Sequence, residues 1–245
     1  MNEVIDLLQR HRSIRKFKPD PIDAEQIGSI IQAAQMASTS SNVQAYSIIR
    51  VSDPLKRKQL VEYTGQQRHV EQCPLFLVWC ADLYRIREAC HKHQVDMVSG
   101  TMENFIVATV DTALAAQNAA IAAESLGLGV VYIGGIRNQS RAVTDMLKLP
   151  PLVYPLFGMC IGYPDHAPSP RPRLAMDVIY HEEEYDTNHM SEGVNDYDQT
   201  LQAYYIQRTG GKRDTTWSKE MANKYRQAAR THMRSFLEEQ GFRFN

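Results

Sequence analysis

Residues 101–135, TMENFIVATVDTALAAQNAAIAAESLGLGVVYIGG, combine the longest helical pattern of the chain with the strand that follows it. Alanine occurs eight times from Ala108 to Ala123, and the pattern is apolar on most faces. It predicts a helix from about Thr101 to Leu126 that is central to the fold, because small side chains let another helix or a cofactor approach closely. Glycine tolerates the left-handed end of a helix, so residues 127–129, GLG, end it and residues 130–133, VVYI, form a buried strand.

The segments on either side predict further buried strands at 46–51, 75–80 and 153–162. Helices are predicted between and before them: a short one ending near His11, one capped by Asp23, one over 54–63 and one that Asn138 or Ser140 opens and that ends at Leu147. Helices that alternate with a few strands, around an α-rich middle, indicate an α+β fold with a mixed sheet packed against helices.

The last third of the chain has a different character. Prolines at 164, 168, 170 and 172 exclude regular structure there, and residues 181–198 carry seven acidic residues and no Lys or Arg. Residues 208–245 carry nine basic and four acidic residues, and a terminal helix is predicted over Trp217–Glu239. We therefore expect a single domain over 1–245 in which 163–245 is an arm, with its terminal helix, that packs against a second subunit.

Composition excludes several classes of protein. The 245 residues are 43% hydrophobic and 22% charged with a net charge of -1, which is unlike a disordered, collagen-like or disulfide-framework chain and gives no global attraction to nucleic acid. The four cysteines lack zinc-type spacing and are predicted to be reduced thiols. No secretory signal is found, and the best apolar stretch, 112–123, is shorter than the ~20 residues of a membrane span. We expect a cytoplasmic protein.

Two clusters of cations could bind a phosphate monoester, because arginine donates two parallel hydrogen bonds and is permanently charged. One cluster lies near the N-terminus and comprises His11, Arg12 and Arg15, with the hydroxyl group of Ser13 among them. The other lies in the proline-rich arm and comprises Arg171 and Arg173. Prolines hold the arm extended, which presents its two arginines rigidly. Each cluster alone is also compatible with a solvated helix end or a solvated linker.

Two other segments could contact a flat, polar ligand. The loop 38–42, STSSN, offers hydroxyl and amide groups at the end of a helix, and Gly134-Gly135 removes side chains where backbone N–H groups could be approached. An ordinary connection and a tight turn are the alternatives.

Motifs for other chemistries are missing from the sequence. The glycines of 127–129 precede their strand, so they do not form a dinucleotide fingerprint, and no GxxxxGK[ST] or GxSxG occurs. We predict no metal site and no catalytic side chain, since no acid/base pair stands out. Any difficult chemistry would then be carried by a cofactor.

The ordered motifs of the chain resemble the nitroreductase superfamily, in its branch of oxygen-insensitive NADPH-dependent nitroreductases and NADPH–flavin oxidoreductases. The resemblance runs over nearly the whole chain through HRSIR (11–15), STSSNVQAYSII (38–49), GQQRHV (65–70), AAESLGLGVVYIGGIRN (122–138), LFGMCIGYP (156–164), RPRL (171–174), DYDQTLQAYY (196–205) and KRDTTW (212–217). It implies an α+β homodimer with FMN at the subunit interface and with long termini that embrace the partner.

The resemblance also assigns site residues. His11, Arg12, Ser13 and Arg15, joined by Arg171 and Arg173, would hold the FMN phosphate. The flavin ring would be contacted by Ser38, Thr39, Ser40, Ser41, Gln67, Tyr132, Ile133, Gly134 and Gly135, with the Gly134 N–H directed at the flavin N5. The loop that carries Ser38, Thr39, Ser40 and Ser41 is expected to come from the partner chain.

Arg208 and Arg213 match basic positions that are associated in this branch with the 2′-phosphate of NADPH. The alternative is a mobile loop with solvated arginines. Asn42 departs from the aromatic or bulky residue of relatives, and we expect it to open or polarise the substrate pocket.

The activity implied by the resemblance is ping-pong oxidoreduction, in which NADPH reduces FMN and the acceptor is a nitroaromatic, a quinone or a flavin. One alternative is a flavin reductase or NAD(P)H oxidase that passes electrons to free FMN or oxygen. Another is an FMN-binding store or regulator without turnover. Nucleic-acid binding through the basic tail is disfavoured, because aromatic residues do not alternate with its cations.

Overall fold

The computed structural model describes residues 2–244, which form four strands and eleven α-helices. The strands are β1 (Tyr46–Arg50), β2 (Leu75–Asp82), β3 (Gly129–Ile133) and β4 (Val153–Gly162). The helices are α1 (Glu3–Gln9), α2 (Ala24–Gln35), α3 (Pro54–Tyr63), α4 (His69–Gln72), α5 (Tyr84–Lys92), α6 (Met102–Ser125), α7 (Ser140–Leu147), α8 (Met176–Ile179), α9 (Met190–Thr209), α10 (Trp217–Tyr225) and α11 (Met233–Glu239). The predicted strands and the long helix are confirmed, and so is the α+β class.

The sheet has the strand order β1-β2-β4-β3, and all its neighbouring strands are antiparallel. A parallel bridge from Ser13 to Val130 extends it beyond β3 and makes it mixed. The register of β2 against β4 shifts between Trp79 and Cys80, which pairs with Pro155. Proline lacks the N–H that a regular ladder needs, so its place beside this irregularity is where a strand tolerates it best.

Helix α6 packs against one face of the sheet together with α2. Its inward face is made of buried alanines, among them Ala115, Ala119 and Ala123, and these pack with Ile30 and Trp79. A second buried cluster, with α3 and α7, covers the opposite face of the sheet. The small residues of the long helix therefore serve close helix packing, as the sequence predicts.

The outward face of α6 is apolar as well. Ile106, Val110 and Leu114 are 47%, 48% and 45% exposed, and their spacing of four residues places them in one row along the helix. We call Ile106, Val110 and Leu114 the α6 stripe. By length and composition this helix of 24 residues could cross a membrane, although part of it is buried in the fold. The expectation that every apolar stretch is too short is therefore wrong, because the largely apolar residues before Asp111 belong to the same helix and one carboxylate does not end the apolar segment.

The chain divides into two compact units. The first comprises residues 2–167 and 230–244, and the second comprises 168–229, so the predicted arm is shared between them. In the second unit, α9 provides a small core of Tyr197, Leu201 and Tyr205.

The single terminal helix predicted over Trp217–Glu239 is wrong. Helix α10 ends at Tyr225 and α11 begins at Met233, with Arg230 in the left-handed region at φ 53° between them. Helix α11 buries Phe236 and Leu237 in the first unit, next to Phe242. Tertiary packing of these side chains overrides a helical pattern that has no proline or glycine to interrupt it.

Candidate functional site

The cationic segment 11–15 lies along the outer edge of β3. The Ile14 N–H donates to the Val130 carbonyl at 2.9 Å, and Ser13 forms the parallel bridge to the same residue. A Cβ on Gly129 would lie 2.5 Å from the Cγ1 atom of Ile14, so only glycine lets the two backbones approach this closely. The sheet therefore fixes the backbone of the predicted phosphate cluster.

His11 contacts the long helix. Its Nδ1 lies 2.7 Å from Oε1 of Glu124, in the last turn of α6, and the two side chains are 32% and 12% exposed. The sequence alone indicates no role for Glu124, which adjoins the apolar run of that helix. With Nδ1 engaged, Nε2 is the nitrogen that His11 can offer to a ligand.

A cleft of about 300 Å³ opens beside this segment. Arg10, Arg12, Glu124, Gly129 and His166 are among the residues that line it. Within residues 2–244, Nδ1 of His166 is buried and has no hydrogen-bond partner. Guanidinium and imidazole groups of this kind favour an anionic ligand.

Gln67 lies against the end of β3. Its Nε2 donates to the Thr64 carbonyl at 2.7 Å, and a Cβ on Gly135 would come within 2.5 Å of that carbonyl and 2.6 Å of Nε2. At Gly134 the nearest atom to such a Cβ is Nη2 of Arg137, at 3.4 Å. Gly135 thus makes room for protein groups, and Gly134 is the more open of the two.

The segment that follows Gln67 is held by a buried arginine. Arg57 is 6% exposed, and it donates from Nε to the Val70 carbonyl at 2.6 Å and from Nη2 to the Cys73 carbonyl at 2.5 Å. Burial, together with the Arg15 guanidinium, lowers the pKa of His69 below its ordinary value. Arg15 therefore acts electrostatically on this segment, which relates the cluster 11–15 to Gln67.

Tyr132 and Ile133 lie on opposite faces of β3. The Tyr132 hydroxyl donates to Oε1 of Gln117 on α6 at 3.3 Å, and its ring packs edge-on against Phe157. Burial and the charge of Glu124 raise the pKa of Tyr132. Ile133 is fully buried, so only its backbone could contact a ligand.

The loop 38–44 is attached to α6 through Asp111. This carboxylate is fully buried, and its Oδ1 and Oδ2 accept the backbone N–H groups of Ser40 and Ala45, each at 3.0 Å. Within the loop, the Gln44 side chain donates to the Oδ1 atom of Asn42 at 3.3 Å. Sequence reasoning missed Asp111, and its one signal was a carboxylate within an otherwise apolar helical run.

The second unit contains the arginines of the arm. The Tyr197 hydroxyl donates to the Pro172 carbonyl at 2.9 Å, and the Tyr204 hydroxyl donates to the Ser169 carbonyl at 3.2 Å. Helix α9 thus holds the extended stretch that carries Arg171 and Arg173, both of which are exposed.

Arg208 also contacts Tyr204, because its Nη1 donates to the Tyr204 hydroxyl at 3.3 Å. Burial raises the pKa of Tyr204, but Ser169 and the cations of Arg208 and Arg171 lower it by more, so the net shift is downward. Arg208 and Arg171 are therefore close enough to act on one hydroxyl group.

Arg213 is more tightly bound within its unit. Its Nη2 pairs with the Glu220 carboxylate, and its guanidinium carbon lies 3.7 Å from the centroid of the Tyr205 ring. Across residues 2–244, Arg208 has no carboxylate partner within ion-pair distance, which makes it the more available cation.

Other chemistry-bearing groups are sparse. In the described range 2–244, no group of three or more His, Cys, Asp or Glu residues could hold a metal ion. The four cysteines are free thiols, and Cys80 and Cys160 are fully buried in strands, as the sequence predicts.

Comparisons with known proteins agree along the whole chain. Residues 8–163 match the nitroreductase family, and residues 171–245 match the nitroreductase family, C-terminal domain. The FMN reductase (NADPH) of Bacillus subtilis is 45% identical over 100% of both chains, and the oxygen-insensitive NADPH nitroreductase of Salmonella typhimurium is 42% identical over 99% of both. A solved NADPH:FMN oxidoreductase from Vibrio harveyi, complexed with NAD+, is 41% identical and superimposes with a TM-score of 0.91, covering 98% of this chain and 99% of that one.

The fold is therefore that of a nitroreductase. The chain belongs to the nitroreductase family, in the branch that contains NADPH-dependent FMN reductases and oxygen-insensitive NADPH nitroreductases.

Alanine at the two neighbouring glycines should have unequal effects. In Gly135→Ala the new methyl group must displace the Thr64 carbonyl or the Gln67 amide, and we expect the free energy of unfolding to fall by about 1–3 kcal/mol. Gly134→Ala is the matched control, and its cost should stay below about 1 kcal/mol because its nearest contact is a flexible side chain. Urea unfolding measures both, and equal losses would contradict the packing assigned to Gly135.

Proposed function

We infer that the chain is an enzyme, an FMN-dependent oxidoreductase that takes electrons from NADPH. Its family and the relatives named above support this activity. The observation that carries it is the position of two segments at β3: 11–15 is fixed on its outer edge, and Gln67 packs against Gly135 just beyond its end. FMN, when bound, supplies the two-electron chemistry that no side chain of this chain provides.

The residues present fit the phosphate of FMN. His11, Arg12, Ser13 and Arg15 lie on a backbone fixed by β3, and Arg12 lines a cleft together with the Arg10 guanidinium and the His166 imidazole. Arg171 and Arg173 are the second set, presented on a stretch that α9 holds in place. Arginine binds phosphate oxygens in pairs, and its charge does not depend on pH in the physiological range.

The residues assigned to the flavin ring fit a neutral, polar heteroaromatic group. The Nε2 of Gln67 is engaged with Thr64, so its Oε1 is free to accept a hydrogen bond from the ligand. Gly134 offers a backbone N–H where a fixed dipole would favour the reduced, electron-rich cofactor. Tyr132, Ile133 and Gly135 shape this edge, and Ser38, Thr39, Ser40 and Ser41 contribute hydroxyl groups, which we assign to the partner's flavin.

Arg208 is the principal ligand of the NADPH 2′-phosphate, and Arg213 supports it. The exposed guanidinium of Arg208 and the absence of a carboxylate partner within the described residues support the first assignment, and the ion pair with Glu220 supports a secondary role for Arg213. Asn42 is the residue that sets the polarity of the acceptor pocket.

The protein acts as a homodimer that buries the α6 stripe. A row of half-exposed Ile, Val and Leu side chains on a central helix is the kind of surface that a second subunit covers. We assign this surface to the dimer rather than to a membrane, because the inward face of the same helix is the core of the sheet packing. The protein is placed in the cytoplasm, with no nucleic-acid partner.

The acceptors are nitroaromatics, quinones and flavins. The relatives named above include both an FMN reductase and a nitroreductase, which favours a single site open to flavins and to nitroaromatics. Transfer to free FMN or to oxygen is the second candidate activity, and an FMN store without turnover is the alternative that is not an enzyme.

An anaerobic absorbance experiment tests the proposed function. The purified protein should show flavin bands near ~450 nm, and these should bleach when NADPH is added, as expected when a flavin carries the redox step.

Arg12→Ala with Arg15→Ala should weaken FMN binding by at least ~100-fold, since each charge-assisted contact contributes about 1.5–3 kcal/mol.

Two results would count against this assignment. A colourless protein that takes up no added FMN would overturn the activity, and flavin bands that persist without bleaching by NADPH would favour the store. A double variant that keeps its full colour after dialysis would instead remove the phosphate role from Arg12 and Arg15 only.

Replacing Arg208 should change the preference between the two reductants. Arg208→Ala is expected to lower kcat/KM for NADPH by about 10- to 100-fold, because one charge-assisted phosphate contact is lost, and to leave kcat/KM for NADH unchanged. Lys212→Ala removes an exposed cation nearby and serves as the control. Equal losses with both reductants would assign Arg208 to structure rather than to the 2′-phosphate.

Charges placed on the α6 stripe should separate the subunits. Sedimentation of the native protein should give twice the chain mass of 27.9 kDa, and Val110→Asp with Leu114→Asp should shift it toward the single-chain value. Leu55→Asp, at a position that is 75% exposed on α3, should leave the mass unchanged. A native protein that sediments as a monomer would refute the dimer.

A further inference from the structure

The loop 38–44 depends on one buried charge. Asp111 lies inside α6 with no exposed surface, and its two carboxylate oxygens accept the N–H groups of Ser40 and Ala45, each at 3.0 Å. In the described part of the chain, no cation lies within ion-pair distance of it. Burying an unpaired carboxylate is costly, and two charge-assisted hydrogen bonds only partly offset that cost.

The backbone between the two anchored N–H groups is strained. Ser41, Asn42 and Gln44 have φ values of 46°, 59° and 54°, the left-handed region that residues with a Cβ avoid. Each such residue costs about 1–3 kcal/mol, and the conformation persists only where the surroundings impose it. Ser40 precedes the three strained residues and Ala45 follows them, so Asp111 fixes both ends of the strained segment.

The strained residues include positions to which the proposed function gives a role. Ser41 is assigned to the flavin and Asn42 to the acceptor pocket, and both are exposed. The Asn42 carboxamide is turned toward Gln44, which donates to its Oδ1 from within the same segment. Asp111 therefore acts on these side chains only through the backbone.

We propose that Asp111 is a positioning residue for the acceptor: its carboxylate holds the loop 38–44 in the strained shape that presents Ser41 and Asn42 to the active site. This inference rests on the proposed function. Both oxygens are required, because each accepts a different N–H group. An asparagine would keep one acceptor and place an NH₂ donor against the other N–H group.

The test compares Asp111→Asn with Thr112→Val in the holoenzyme. Thr112 is the next residue on α6 and is equally buried, but its hydroxyl donates to the Ala108 carbonyl within the helix and not to the loop. For Asp111→Asn we expect a KM for 1,4-benzoquinone at least fivefold higher, a kcat within twofold of the native value and one FMN still bound per chain. Hydrogen exchange of the Ser40 and Ala45 amides should become at least tenfold faster. Thr112→Val should change neither the KM for 1,4-benzoquinone nor the exchange rates of these two amides.

Two outcomes of this comparison would overturn the positioning role. One is a KM in Asp111→Asn within twofold of the native value, and the other is an equal rise in Thr112→Val, which would indicate general destabilisation. A rescue variant adds a further arm: Gln44→Gly in the Asp111→Asn background should recover part of the KM change, because glycine adopts a positive φ without strain.

If Asp111→Asn does not fold, hydrogen exchange in the native protein decides. The Ser40 and Ala45 amides should be protected, and exchange at the rate of free amides would overturn the anchor. A native protein without FMN or NADPH oxidation would be a failure of the proposed function. If the native protein is active and the Asp111→Asn variant has an unchanged KM for 1,4-benzoquinone, this inference alone fails.

Discussion

The close packing of α6 against the sheet is the constraint on which the other parts of the first unit depend. Alanines such as Ala115 and Ala119 bring the helix axis near the strands and near α2. A helix in that position can reach the site from two places. Asp111 holds the loop before β1, and Glu124, in the last turn, pairs with His11. The helix that forms the core thus also determines where two segments of the candidate site lie.

The outward face of α6 is explained by the same position. A helix that packs its buried face against the sheet and anchors the loop 38–44 through Asp111 has its opposite face left for another surface. That far side carries Ile106, Val110 and Leu114. Core packing and the proposed subunit contact are therefore opposite faces of one element. This is why an all-round apolar pattern in the sequence does not by itself distinguish a buried helix from one that lies at an interface or spans a membrane.

Much of the fold could be predicted from the sequence because its signals are local. Apolar runs bounded by turn residues indicated all four strands, and β4 has the predicted bounds Val153–Gly162. Two features were not local. The break between α10 and α11 follows from burial of Phe236 in the first unit. Helix α9 begins in an acidic stretch, and its buried tyrosines pack with Leu174 and Trp217, which lie outside the helix.

The candidate site divides in the same way. The glycines, the arginines and the hydroxyl-rich loop stood out because their residue types suit a phosphate and a flat ligand. The residues that position these groups did not stand out in the sequence. Asp111 contacts Ser40 across 71 positions of the chain, and His11 contacts Glu124 across 113. A carboxylate within an apolar helix has no recognisable role until the fold supplies its partner, so positioning residues are the part of a site that composition and spacing reveal least.

The second unit contains the arginines that are assigned to the reductant. Tyr204 donates to the Ser169 carbonyl, accepts from Arg208 and feels the charge of Arg171. One hydroxyl on α9 thus relates the arginine assigned to the FMN phosphate to the arginine assigned to NADPH. Because both cations are carried by the same helix and the stretch it holds, the proposed assignments imply that a change that shifts α9 alters cofactor binding and reductant binding together. The cations at 11–15, fixed on β3, do not share that dependence.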